Sequence, residues 1–329
     1  MKNLKTIVFF GGAELLCSLI DEIKKKDKKL NIIVFTSKRH FQERINLNDS
    51  LGNYLKKNKL NFYIRKKISV SEIKNKIDIK KSLFISVGAA WIFKKDLINL
   101  LKGRIYNIHG SKLPKDRGGG GFSWQILQNN KFGFTSIHDL NLGIDKGDII
   151  YQKKFNIENC DSPDEVYQLY KKNTGVLFVK FMKKFFKNKK FKRKKQNEDE
   201  STYWPRLNTQ IHGWINWDWH GSEIQKFLKA FDNPYLGAHT SVGKKIVYLK
   251  DSSFFKNKKF HPFQAGIIFR KRKGKLFVSV RGGYLVISKI LDQNNKKISK
   301  KFIKLGDRFF TPKVKLEQAL KKRVYFHLN

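Results

Sequence analysis

Residues 1–107 alternate short runs of β-branched, aliphatic and aromatic residues with charged stretches of helical character, and this alternation is what most constrains the fold. Thr6–Phe10, Asn31–Phe35, Asn61–Ile64, Leu83–Val87 and Arg104–Ile108 read as strands. Glu14–Lys25, Ser50–Lys57, Val70–Ile77 and Lys94–Leu101 read as the helices between them. Apolar strands spaced by helices form βαβ units, which build a parallel sheet covered on both faces. Ligands on such sheets sit beyond the carboxyl ends of the strands. Here those ends are Gly11–Gly12, Ser86–Trp91 and Asn107–Gly121.

Lys2 and Lys5 precede an apolar run, as in a secretory leader, but Glu14 and Asp21 interrupt it and Gly11–Gly12 splits it into strand and helix. The expectation is a cytoplasmic protein that begins with its first core strand. Cys17 and Cys160 are too few for a disulfide framework or a thiolate zinc site. No apolar run is long enough to span a membrane.

The formal charge of +43 falls on a chain that is 40% hydrophobic and 14% aromatic, so a disordered polyelectrolyte is excluded. Of the 70 basic residues, 58 are Lys and 12 Arg. A phosphate-reading groove favours Arg, whose fork binds phosphate in bidentate fashion. The charge therefore admits two readings, a lysine-rich surface of compositional origin or attraction to a polyanion.

A long helix, Ser162–Lys187, ends in Lys180–Lys195, which carries ten basic residues and no acid. That stretch is either a solvated helix end with a connection or a phosphate-binding strip. Residues 196–210 read as a linker between domains 1–195 and 211–329. Beyond it, a helix at Ser222–Phe231 precedes short strands at Lys245–Leu249, Ala265–Phe269, Lys275–Val280 and Tyr284–Ile290 with glycine-marked turns, the pattern of a small OB-like β-barrel. The fold class expected is α/β, a Rossmann-like, mostly parallel sheet with flanking helices followed by that barrel. Trp204, Trp214, Trp217 and Trp219 near its entrance read as packing in preference to a stacking platform.

Gly11-Gly12-Ala13 reads as a tight turn, since it lacks the third glycine of a dinucleotide fingerprint and no acid ends the second strand. The chemistry concentrates in Asn107-Ile-His109-Gly-Ser111-Lys-Leu113-Pro114-Lys-Asp-Arg117, the glycines 118–121, and Gly143-Ile-Asp145-Lys-Gly147. Asn107 and His109 lie two apart at a strand end, so both side chains share one face. The glycines permit close backbone approach to a flat ligand and expose N–H donors. Asp145 could meet the imidazole. An amide, an imidazole and a carboxylate can together bind an oxyanion and move a proton. Ser111 lacks a nucleophile elbow and no cysteine lies nearby, so direct transfer between two bound substrates is expected. No metal is expected, because His109 and His138 lack metal-ligand spacing.

Asn107-x-His109, Ser111-x-Leu113-Pro114-x-x-Arg117-Gly118 and Leu142-Gly143-Ile144-Asp145-x-Gly147 resemble the formyltransferases that use 10-formyltetrahydrofolate. The likeness covers roughly residues 4–185. It implies that Asn107, His109 and Asp145 are catalytic. It implies further that Ser86, Gly88, Ala89, Trp91, Ile92, Leu142 and Gly143 line the pterin pocket, with Ser111, Leu113 and Pro114 against the cofactor. Gly11, Gly12, Arg117, Gly118, Gly119 and Trp124 are then expected on the substrate side. The second half, with Trp214-Ile215-Asn216-Trp217, Ala230-Phe231, Pro234 and Gly237-Ala238, is similar to the C-terminal barrel of methionyl-tRNA and several amino-sugar formyltransferases.

Two departures bear on the acceptor. Methionyl-tRNA formyltransferases carry a basic, glycine-containing insertion after the second strand, where this chain has Thr36-Ser37-Lys38-Arg39-His40-Phe41. They follow the Arg-Gly pair with small residues and proline, where this chain has Gly119-Gly120-Gly121-Phe122-Ser123-Trp124. Both departures favour an amino-sugar nucleotide over methionyl-tRNA, with Trp124 either stacking on a base or packing in the core. A non-catalytic nucleic-acid-binding protein is a third reading of the charge and the barrel. The barrel is left either to touch substrate or to serve a homodimer.

Overall fold

β1 (Thr6–Gly11) is buried almost throughout and pairs in parallel with β2 (Asn31–Thr36) on one side and β4 (Ser82–Val87) on the other. The computed structural model describes residues 4–46, 49–119, 121–187, 189–257 and 260–324. β3 (Asn61–Ile64) extends the sheet beyond β2, and β5 (Ile105–His109) lies beyond β4. β7 (Phe132–Asp139) and β8 (Ile149–Asn156) then add two antiparallel strands, giving the order β3-β2-β1-β4-β5-β7-β8. The last two were not singled out in the sequence, because Phe134, Ser136 and His138 alternate too weakly in polarity to stand out as a strand face.

Both faces of this sheet are covered, as the near-continuous apolar strands require. The helices Ala13–Lys26 and Pro163–Phe186 close one face over Phe9, Tyr106 and Ile108, and the other face holds Phe10, Phe35, Phe84 and Ile105. β5 shows how the pleat separates roles. Tyr106 and Ile108 point into the first core, while Asn107 and His109 share the opposite face with Ile105.

The segment after the long helix is more ordered than a free linker. Phe191 stacks on Phe181 with ring centroids 5.0 Å apart, and Lys194 exchanges two backbone bonds with Ile149. The short strands β6 (Arg117–Gly118) and β9 (Tyr203–Trp204) then pair in parallel, so residues 196–206 lie against the first half of the chain.

The second half holds β10 (Ala238–Val242), β11 (Lys245–Lys256), β12 (Ile268–Arg272), β13 (Lys275–Val280), β14 (Gly283–Leu291) and β15 (Phe309–Phe310) in one antiparallel sheet of order β12-β13-β14-β11-β10-β15. A bridge between Ile267 and Arg308 brings its two edges together. β11 runs on to Lys256, well past the expected end at Leu249. The strand expected at Ala265–Phe269 begins only at Ile268, because the turn Pro262–Gln264 and the left-handed Gly266 (φ +83°) occupy its start. The helix Gly221–Ala230 packs its Ile224, Phe227 and Leu228 into the core of this sheet. No helix among the described residues is long and apolar enough to cross a membrane.

Candidate active site

The register of the strands assembles a polar cluster at the carboxyl end of β5, within the first sheet. β5 sets Asn107 opposite His138 of β7, and His109 opposite Ser136. Side chains directly opposite in antiparallel strands stand close enough to interact. The β7–β8 register shifts between Ile137 and His138, an irregularity of the kind that re-aims a side chain beside a functional site. Asp145 arrives from the turn between β7 and β8. That turn can approach only because residue 147 is glycine, since a Cβ there would lie 1.6 Å from the Asp139 carbonyl oxygen.

Asn107 Nδ2 lies 3.0 Å from His138 Nε2 and 3.2 Å from Asp145 Oδ1. His109 Nδ1 and His138 Nε2 each stand 3.7 Å from the same carboxylate oxygen. The other carboxylate oxygen accepts from the Gly118 N–H at 3.1 Å. His138 Nδ1 lies 2.8 Å from the Asp139 carbonyl oxygen, which can only accept, so the proton is assigned to Nδ1 and neutral Nε2 accepts from Asn107. Both N–H bonds of the Asn107 amide are thereby directed, one to imidazole and one to carboxylate. Burial pushes the Asp145 carboxyl up. The charge that His109 carries when protonated and the Gly118 N–H outweigh it and hold the group below the ordinary carboxylate range.

The structure thus brings Asn107, His109 and Asp145 together and adds His138, which the sequence had weighed only as a metal ligand. The available signal was its place in the alternating run Phe134, Ser136, His138, seven residues before Asp145. His109 retains partial exposure, and its Nε2 faces the Asp116 carbonyl oxygen at 3.4 Å. An ionised carboxylate, two imidazoles and an amide at a partly open strand end can meet a developing oxyanion and transfer a proton.

The other expected site residues divide. Ser86 is buried at the end of β4, followed by left-handed Gly88 (φ +56°) and Ala89. Trp91 is buried in the core, its Nε1 donating to the Lys66 carbonyl oxygen. Ile92 is 81% exposed, Leu142 is 52% exposed, and left-handed Gly143 separates Leu142 from half-exposed Ile144. Ser111 and Leu113 are buried, and a cis bond joins Leu113 to Pro114. Gly11 and Gly12 serve close packing, for a Cβ at Gly11 would strike the Val87 carbonyl oxygen and one at Gly12 the His40 ring.

The residues expected on the acceptor side have partners within the chain. Gly118 and Gly119 do not present free N–H donors, since theirs go to Asp145 and to the Trp204 carbonyl oxygen. Gly120 lies outside the described residues. Arg117 is buried and turned toward Gln196 and Glu198, with its Nη1 and Nη2 at 3.0 and 2.9 Å from the Glu198 carboxylate. Trp124 stacks on Trp204 at 5.3 Å and donates to the Pro205 carbonyl oxygen. It also forms one wall of a cavity of about 930 Å³ between the two halves, together with Pro205, Trp214, Trp219 and Phe231. The cysteines take no part. Cys17 is buried, and burial with the charges of Asp21 and Glu14 pushes its thiol up to about 12.

Residues 4–182 match the family described as formyl transferase, and residues 208–305 match the formyl transferase C-terminal domain. Among curated proteins, the methionyl-tRNA formyltransferase of Clostridium tetani (strain Massachusetts / E88) is 26% identical over 212 residues, 64% of this chain and 67% of that protein. Among solved structures, WlaRD, a sugar 3N-formyl transferase crystallised in the presence of dTDP and 5-N-formyl-THF, superposes with a TM-score of 0.67. It is 22% identical, with 88% of this chain and 99% of that chain covered. The N-formyltransferase of Helicobacter canadensis, in complex with folinic acid and dTDP-3-aminofucose, gives the same values. At that identity the two structures show the shared fold.

Proposed function

The chain belongs to the formyl transferase family, and from that premise we propose that it moves the formyl group of 10-formyltetrahydrofolate onto the primary amine of an amino-sugar nucleotide. Family membership makes it an enzyme and removes the reading of a non-catalytic nucleic-acid-binding protein. The observation that carries the mechanism is the convergence of Asn107, His109, His138 and Asp145 at the carboxyl end of β5.

The acceptor nitrogen attacks the formyl carbon, a carbon–nitrogen bond forms, and the carbonyl oxygen becomes an oxyanion. Asn107 and His109 receive that charge. One N–H of the Asn107 amide leaves its resting partner for the oxyanion, while the other bond keeps the amide in place. Asp145, held ionised, draws the proton released by the amine through His109. The carbon–N10 bond then breaks, N10 takes a proton and tetrahydrofolate departs. Exposed Ile92, Leu142 and Ile144, on the loops after β4 and before Asp145, suit a flat, largely apolar pterin, which would cover them on binding.

Two features support a sugar-nucleotide acceptor. The segment after β2 is a short helix, Lys38–Gln42, whose His40 packs under Gly12, and its sequence lacks the glycine of the basic insertion in methionyl-tRNA formyltransferases. Trp124 presents an aromatic wall to the cavity between the halves, suited to a nucleobase. A methionyl-tRNA acceptor has its own support in the ten basic residues of 180–195 and in the curated relatives. Labelled 10-formyltetrahydrofolate offered with a panel of dTDP- and UDP-linked amino sugars and with methionyl-tRNA separates the two. Label in a sugar nucleotide is the expected result, label confined to methionyl-tRNA moves the acceptor, and label in neither overturns the proposal.

A further inference from the structure

The segment joining the two halves doubles back past the active-site loop before it reaches the barrel. Lys194 pairs with Ile149, and Arg193 binds the Asp139 carboxylate, which fixes the segment beside β8. The side chains on either side, Lys195 and Asn197, are exposed, whereas Gln196 turns inward. Its Nε2 donates to the carbonyl oxygens of Asp145 at 2.8 Å and Gly147 at 2.6 Å. Its Oε1 accepts from Arg117 Nη2 at 2.8 Å and Nε at 3.3 Å. The remaining edge of Arg117 is held by Glu198, whose carboxylate also meets Lys146 at 3.0 Å.

One amide thus joins the two loops that carry the site. A side chain there must donate twice and accept from a guanidinium, a combination that only a carboxamide provides, and asparagine is one methylene shorter. Asp145 has particular need of such support, because its backbone is left-handed (φ +53°), a conformation that non-glycine residues seldom adopt without help from their surroundings. Its carboxylate is gripped in front by Asn107 and by the N–H of Gly118, the residue after Arg117. Gln196 holds the same residue from behind.

We propose that Gln196 is a positioning residue for formyl transfer, clamping the backbone of Asp145 and Gly147 to Arg117 and so fixing where the Asp145 carboxylate stands against Asn107 and His109. The inference rests on the catalytic role proposed for Asp145. It makes the connection between the halves part of the active site.

The test uses the full chain with Gln196→Ala, and with Gln196→Glu, which keeps size and an acceptor for Arg117 but turns a carboxylate oxygen on two carbonyls. Both variants should keep the wild-type melting temperature. Their kcat and kcat/KM should fall together by roughly ten- to a hundredfold, the scale of a small misplacement of a reacting group. The ¹³C-carboxyl titration of Asp145, assigned with Asp145→Asn and read without substrate, should move up toward the ordinary carboxylate value as the group drifts from His109 and the Gly118 N–H. Wild-type kcat, or an unmoved Asp145 titration, in both variants overturns the inference. An inactive Asp145→Asn beside fully active Gln196 variants removes this inference alone. An active Asp145→Asn removes the catalytic reading beneath it.

Discussion

The two halves of the molecule bury polar groups in different ways. In the second half they are satisfied inward. Lys250 meets Asp232 at 3.3 Å and Asn233 Oδ1 at 2.8 Å, Trp217 donates to Thr240, and Thr240 donates to the Phe310 carbonyl oxygen. In the first half Asn107, His109, His138 and Asp145 converge at the carboxyl end of β5, with His109 left partly exposed. The first arrangement secures a fold, and the second leaves groups poised for an incoming molecule. Buried polar clusters with similar distances can therefore serve opposite ends, and exposure of one member together with a shared target tells them apart.

Substitutions should separate the two arrangements, and the largest effect is expected at the buried ion pair of the barrel half. Lys250→Ala strands the Asp232 carboxylate, a loss of about 3–5 kcal/mol. Denaturant unfolding should show it, while turnover per folded molecule stays at the wild-type value. Unchanged stability would mean that this pair is not structural.

Acid should weaken both halves together. Burial lowers His40 to about 4, aided by the charges of Arg39 and Arg206, and burial likewise lowers His239 to about 4, with Lys315 contributing. Each folded ring binds its proton less readily than the unfolded chain does, near 6.5. Stability is thus complete above pH 6.5 and is lost as pH falls through the window to 4, by on the order of 3 kcal/mol for each ring. Melting curves across that window should lose much of their pH dependence in a His40→Phe, His239→Phe double variant. A smaller effect is expected at the surface. Arg193→Ala removes a part-exposed ion pair with Asp139 and should cost under about 1 kcal/mol, an amount that high salt should reduce further.

Much of the first half was legible in the sequence because its strands are apolar runs bounded by helical stretches, and that pattern dictates parallel pairing. Asn107, His109 and Asp145 were legible from spacing and from resemblance. His138 was not, since its role depends on the register between β5 and β7, a non-local property that spacing does not encode. The partners of Arg117 and the glycines beside it were hidden for a related reason. The chain returns much later in the sequence and takes their hydrogen bonds through Thr202, Trp204, Gln196 and Glu198. The extent of β11 was hidden by the polar run Lys250, Asp251, Ser252 and Ser253, of which Lys250, Ser252 and Ser253 continue the ladder against β14 around a left-handed Asp251 (φ +51°).

The central claim, that the cluster at the end of β5 is chemical and not structural, is tested most directly by measuring formyl transfer and thermal unfolding on the same preparation of Asn107→Ala. Loss of an oxyanion donor predicts turnover reduced by about a hundred- to a thousandfold with a melting temperature close to that of the wild type. Wild-type turnover, or a loss of activity matched by a loss of folded protein, would contradict it.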